Sequence, residues 1–207
     1  MKLIAVIISV MVLFMNGVVT QAETKVWNFD NDKADTIAKD FTSEVGEWKV
    51  IVDDTAPSKP HVLAQLAKNS GSTFNLALVN STDRKDVDLS VQMKPIAGDE
   101  DQGGGLVWRV KDANNYYVVR YNPLESNYRV YKVVNGERTQ LQSADIKHRK
   151  GWYILRVTMV DNHIECYYGG KKYLEVKDSA LPEVGKIGLW TKADARTYFD
   201  NLMLNSE

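Results

Sequence analysis

The sequence predicts an all-β protein, two antiparallel sheets packed face to face as a sandwich or jelly roll. Three observations carry that expectation. About a dozen short runs rich in β-branched and aromatic residues recur along the chain, each bounded by Gly, Pro, Asn or Asp. Asp86–Lys94 (DVDLSVQMK) alternates cleanly, with Val87, Leu89, Val91 and Met93 on one side and Asp88, Ser90, Gln92 and Lys94 on the other, as a strand buried on one face must. Beyond the N-terminal segment no stretch shows the 3.6-residue apolar period of an amphipathic helix, so a βα architecture lacks its helices.

The elements follow in order. Lys2 precedes Leu3–Met15, an apolar run of about 13 residues, the length of a signal-peptide core and too short for a membrane span. Thr20 and Ala22 put small residues where a signal peptidase needs them. Residues 1–22 are therefore expected to be removed, and 23–207 to form a single domain; an uncleaved N-terminal anchor is the alternative. Lys25–Asp30 reads as a strand. Asn31–Glu44 is polar, with a helical turn at Ala34–Ala38. Gly46–Asp53, Val62–Leu66, Thr73–Val79 and Asp86–Lys94 read as strands, with a proline-bearing loop at Asp54–Pro60. After the loop Ala97–Gly105 come Leu106–Val110, Tyr116–Tyr121 and Asn127–Val134. Gly151–Val160, His163–Tyr168, Lys172–Val176, Gly185–Thr191 and Thr197–Leu204 complete the set.

Composition narrows the function classes. With 26 Lys and Arg against 27 Asp and Glu, and no long run of either sign, nucleic acid is not an expected partner. The one cysteine, Cys166, cannot make an intramolecular disulfide and is read as a buried small hydrophobe in its strand. A secreted or periplasmic protein that is not a lipoprotein is expected. His61, His148 and His163 lack zinc-ligand spacing. No G-x-S-x-G occurs, and Gly103–Gly105 precedes no helix, so neither a nucleophile elbow nor a phosphate cradle is expected.

The candidate site rests on side-chain parity. Leu106, Trp108 and Val110 are read as inward, leaving Val107 and Arg109 outward. Arg120 shares a face with Tyr116 and Val118, Arg129 with Tyr131 and Val133, and Trp190 with Lys192. If these strands are neighbours, Arg109, Arg120 and Arg129 stand side by side on one outer face with Tyr116, Trp190 and Lys192. Asn122, Glu125 and Asn127 lie at the adjoining turn. Guanidinium forks and aromatic rings suit a carbohydrate ligand. The plainer reading is that these arginines pair with carboxylates such as Glu125 and solvate the sheet. Trp108 is read as core. Asp99–Asp101 is read as a solvated acidic loop.

In the C-terminal half, GGGLVWR, NNYYVVRYNPLESNYRVYKV, GWYILRV, the Tyr168–Lys171 turn, GKIGLWTKADA and TYFDNL occur in this order. Together they resemble the concanavalin A-like, laminin-G-like jelly rolls, and within these the bacterial secreted family described as 3-keto-disaccharide hydrolase domains. The resemblance implies ligand binding on a concave sheet face or its rim, and cleavage of an oxidised sugar by a base; Glu125 is the first candidate. No E-x-D-x-x-E glucanase strand is present. The resemblance also implies that the chain termini pair, with a structural calcium nearby. Asp30, Asp32, Asp200 and Asn201 offer hard oxygen ligands for it, although polar strand ends without metal are the favoured account of them. No cofactor is required. Three functions stand: a glycan-binding protein, a glycoside hydrolase or lyase acting on a 3-keto-disaccharide, and an envelope adhesion or scaffold module.

Overall fold

A computed structural model describes residues 24–147 and 150–205. The expected signal peptide, its cleavage position and His148 lie outside the described residues. The chain forms fifteen strands and, among the described residues, no helix. The strands are β1 (Thr24–Trp27), β2 (Phe41–Val45), β3 (Trp48–Val52), β4 (His61–Gln65), β5 (Phe74–Val79), β6 (Val87–Ala97), β7 (Gly104–Asp112) and β8 (Asn115–Asn122). They continue as β9 (Asn127–Val134), β10 (Glu137–Asp145), β11 (Tyr153–Val160), β12 (His163–Tyr168), β13 (Lys171–Lys177), β14 (Lys186–Lys192) and β15 (Arg196–Asn205). The first sheet runs β13-β12-β11-β6-β15-β4-β3, with β1 on β15; the second runs β10-β9-β8-β7-β14-β5-β2. Every pairing is antiparallel, and the first and last described strands pair, Thr24 opposite Asn205.

Period-two alternation builds the interior. Leu89, Val91, Met93, Leu155 and Val157 of the first sheet meet Leu106, Trp108, Tyr117, Val119 and Leu189 of the second in one buried cluster. Trp108 is fully buried there, stacked on Tyr117 with centroids 5.6 Å apart, and its Nε1 donates to Met159 Sδ at 3.1 Å. Cys166 is buried in the same cluster. Its thiol is pushed well above the ordinary range by burial, which fits an unreactive packing residue.

The second sheet buries its other face as well. Leu76, Leu78, Val107, Val110, Tyr116, Val118, Tyr131, Val133 and Trp190, all from this sheet, form a second apolar cluster. Val107 and Val110 share it although three positions apart. The reason is a bulge at Arg109, whose φ is 47°: Val107 faces Gly188 while Val110 faces Lys186, so β7 carries one residue more than β14 over that stretch.

Two strands depart from the expected set. Asn31–Glu44 contains no helical turn, and its last residues begin β2, an edge strand with three exposed residues. β10 was not expected at all; its burial pattern is mostly exposed or intermediate, as on an edge.

Candidate functional site

The site lies on the outer face of the second sheet, where β7, β8, β9 and β14 run side by side. Arg120 and Arg129 are directly opposed across β8 and β9. Like charges so placed repel, and the β8–β9 turn supplies the remedy. Asn122 Oδ1 accepts the backbone N–H groups of Leu124 (2.9 Å) and Glu125 (3.3 Å), and Ser126 takes a left-handed φ of 52°. The turn thereby folds Glu125 back over the sheet. Its Oε2 accepts from Arg120 Nη2 (3.0 Å), Arg129 Nη1 (3.0 Å) and Asn127 Nδ2 (2.8 Å). Partial burial raises the Glu125 pKa, but Asn127 and the two guanidinium groups outweigh it and hold the carboxyl below its ordinary value. A carboxylate so engaged is an anchored anion and a weak base, which tells against the role the resemblance implied for Glu125.

A second carboxylate enters from the loop before β7. Asp194 accepts the backbone N–H groups of Asp99 (2.7 Å), Glu100 (3.1 Å) and Asp101 (3.1 Å), and so turns Asp101 inward. Far from being solvated, Asp101 is 2% exposed; it accepts from Asn122 Nδ2 at 3.0 Å and lies 3.6 Å from Lys192 Nζ. Burial pushes its pKa up more than the charges of Arg120 and Lys192 pull it down.

Arg120 forms the floor, 2% exposed. Its Nη2 serves Glu125 and the Tyr131 hydroxyl, whereas Nε and Nη1 are buried with no hydrogen-bond partner. Arg138 of β10 was not singled out in the sequence. Its guanidinium sits among the rings of Tyr131 (4.5 Å), Phe74 (5.1 Å) and Trp190 (5.9 Å), and its Nη1 is also buried without a partner. A buried donor left unmatched costs roughly 1–3 kcal/mol.

Not every expected residue belongs here. Arg109 does not stand beside the other two arginines: Gly105, not Arg109, is opposite Arg120, and the bulge sends Arg109 to the edge of the sandwich. There Nε donates to Lys85 O (2.6 Å), Nη1 to Leu181 O (3.0 Å) and Nη2 to Asp161 O (2.5 Å), with Asp86 Oδ1 at 3.4 Å. Trp190 does lie on the outer face, but it is fully buried rather than an open platform. Phe74 packs against it at 5.5 Å, and its Nε1 donates to the Tyr116 hydroxyl at 3.2 Å. Tyr116 is therefore a packing residue, and Asn122 and Asn127 shape the turn that carries Glu125.

The residues proposed for a calcium ion divide in the same way. Asp30 and Asp200 converge on Ser58, Asp30 Oδ2 accepting from its hydroxyl and Asp200 Oδ2 from its backbone N–H at 2.7 Å. Asp32 instead accepts the N–H of Lys39 at 2.8 Å, and the Asn201 carboxamide donates to Gln92 at 2.7 Å. Of the four, only Asp30 and Asp200 lie together, and Asp32 and Asn201 do not join them. Burial, with a contribution from the Asp30 charge, pushes Asp200 up to about 6. A carboxyl raised in the folded state contributes stability that is complete below its unfolded value near 4 and lost as pH rises through about 6. The melting temperature of Asp200→Asn, compared with wild type at each pH, is therefore expected to move in the variant's favour between pH 4 and pH 7. Allowing for solvent screening, the gain is roughly 1–2 kcal/mol. Parallel melting curves across that range would sink the assignment.

One further group, His163, Glu165 and Glu175 on the outer face of the first sheet, has ligand-type atoms within 4.8 Å of one another. Lys172 bridges its two carboxylates at 2.7 and 2.5 Å, so an ammonium already balances that cluster. No helix among the described residues is long and apolar enough to cross a membrane.

Two antiparallel sheets packed face to face define the chain as a β-sandwich of jelly-roll type. Similar solved structures share that fold. A carbohydrate-binding module, CBM66, from Bacillus subtilis superposes with a TM-score of 0.67 at 17% identity, over 83% of this chain and 97% of the other. A protein of unknown function with a galectin-like fold, also from Bacillus subtilis, gives 0.60 at 12%, over 81% and 90%. A putative glycosyl hydrolase from Parabacteroides distasonis gives 0.51 at 16%, over 81% and 99%. No protein-family model matches the sequence. No curated protein matches it either.

Proposed function

We propose that this is an exported carbohydrate-binding protein that recognises a glycan on the outer face of the second sheet. The observation that carries the reading is the buried Arg120, with two unmatched donor atoms beneath a rim of Glu125, Arg129 and Lys192 that reaches solvent. Sugar hydroxyls are both donors and acceptors, and such a ligand matches a floor of donors and a rim of mixed charge. The likeness in fold to a carbohydrate-binding module supports the reading. Export follows from the N-terminal apolar run, and a divalent cation such as calcium, if bound, is held by Asp30 and Asp200.

The test is a glycan array probed with wild type and Arg129→Ala. Arg129 is 31% exposed in its side chain, so its loss is expected to change stability by no more than about 0.5 kcal/mol. Binding is expected to weaken roughly tenfold, the loss of one charged hydrogen bond. Failure of the wild type to bind any glycan would remove the proposal.

A second reading has its own support. Asp101 and Glu125 flank Arg120, one pushed up and the other held down, a division of labour typical of an acid and an anionic partner. On that reading the protein is a hydrolase or lyase of the 3-keto-disaccharide type, with Asp101 as the proton donor. Release of reducing sugar from an oxidised disaccharide, abolished in Asp101→Asn, separates it from binding alone.

A further inference from the structure

We propose that the glycan is acidic, its carboxylate or sulfate seated against Arg120, Arg138 and Lys192. This rests on the glycan-binding reading and narrows it. The face gathers four cations, Arg120, Arg129, Arg138 and Lys192, around two carboxylates, Asp101 and Glu125. Glu125 is shared between Arg120 and Arg129, and Asp101 faces Lys192. No carboxylate among the described residues pairs with Arg138, which is nonetheless drawn in among three aromatic rings. Burial holds its pKa below the ordinary value, and the neighbouring Arg120 charge adds to that.

Arg120 and Arg138 approach the same ring, Tyr131, with Cζ atoms 5.9 and 4.5 Å from its centroid, and both carry a buried Nη1 without a partner. Two like charges are thus held close with donors that nothing in the fold accepts from. A neutral sugar could take those N–H groups through its hydroxyl oxygens and would leave the excess positive charge in place. An anionic oxygen supplies both the acceptors and the missing charge, and charge-assisted bonds of this kind are about twice as strong as neutral ones. The rings of Phe74, Tyr131 and Trp190 fix the Arg138 plane in advance, so little side-chain freedom is lost on binding.

The experiment measures affinity by calorimetry for matched pairs: polygalacturonate against galactan, and dextran sulfate against dextran, with citrate and inorganic sulfate as free anions. Wild type is expected to bind one acidic polymer at least about tenfold more tightly than its neutral partner. That margin should shrink in Arg138→Gln and with added salt. Lys192→Gln is the second variant should Arg138→Gln fail to fold. Equal or tighter binding of the neutral polymers would overturn the acidic assignment and leave glycan binding standing. Free anions that bind as tightly as the polymers would reduce the face to an anion site. A preference that survives both substitutions would remove the named residues from it. No binding to any polymer would end the glycan reading itself.

Discussion

Arg109→Ala is expected to lower the unfolding free energy by at least about 3 kcal/mol, a drop in melting temperature of roughly 6–12 °C for a chain of this size. The side chain is 1% exposed and gathers three backbone carbonyls, those of Lys85, Asp161 and Leu181, from three separate segments. Removing it leaves those acceptors without their donor and takes away the charge beside Asp86, whose Oδ1 also accepts the Asp161 N–H at 2.8 Å. Each charged hydrogen bond contributes roughly 1.5–3 kcal/mol. Lysine has a single ammonium and cannot reach all these acceptors, so Arg109→Lys should recover only part of the loss. Glycan affinity of the folded variant should match wild type, because Arg109 sits at the bulge, away from Arg120. A melting temperature within about 2 °C of wild type would show that the pin carries little weight.

The same residue shows how far parity could be read from the sequence. Alternation placed Arg120 with Tyr116, Arg129 with Tyr131, and Trp190 opposite Leu189, and the two clusters of the second sheet divide along those lines. In β7 the alternation of Leu106, Trp108 and Val110 concealed an inserted residue. Arg109 in a left-handed conformation carries no local signature that a β-branched neighbourhood would betray, so the strand looked regular. The place of Arg138 is legible in the sequence. Asn135-Gly136 is the two-residue turn of a tight hairpin, with φ of 53° and 81°, and it sets Arg138 opposite Val133. Only the polar character of β10 hid it. The inward turn of Asp101 could not be read at all, because it depends on Asp194, far along the chain, capping three backbone N–H groups.

Gly105→Ala is expected to lower stability by at least about 3 kcal/mol, and glycan affinity with it. Gly103 ahead of β7, and Gly104 and Gly105 at its start, are glycines because neighbouring backbone comes too close for a side chain. A Cβ at Gly103 would lie 2.2 Å from Tyr121 O, one at Gly104 2.4 Å from Trp190 O, and one at Gly105 1.8 Å from Val119 O and 2.9 Å from Arg120 Cα. The obstacle at Gly105 is backbone, which cannot rotate away as a side chain would. Relief requires β8 to move, and β8 presents Val119 to the interior and Arg120 to the site from adjacent positions. Core packing and the site floor must therefore be disturbed together. Gly170→Ala is the control: its Cβ would meet nothing within 4 Å, and only its φ of 81° opposes the change, at about 1 kcal/mol. Chemical denaturation of the two variants should differ by about 2 kcal/mol or more, and only Gly105→Ala should lose binding. If Gly105→Ala unfolds within about 1 kcal/mol of wild type and still binds, the close approach of β7 and β8 is not what positions Arg120.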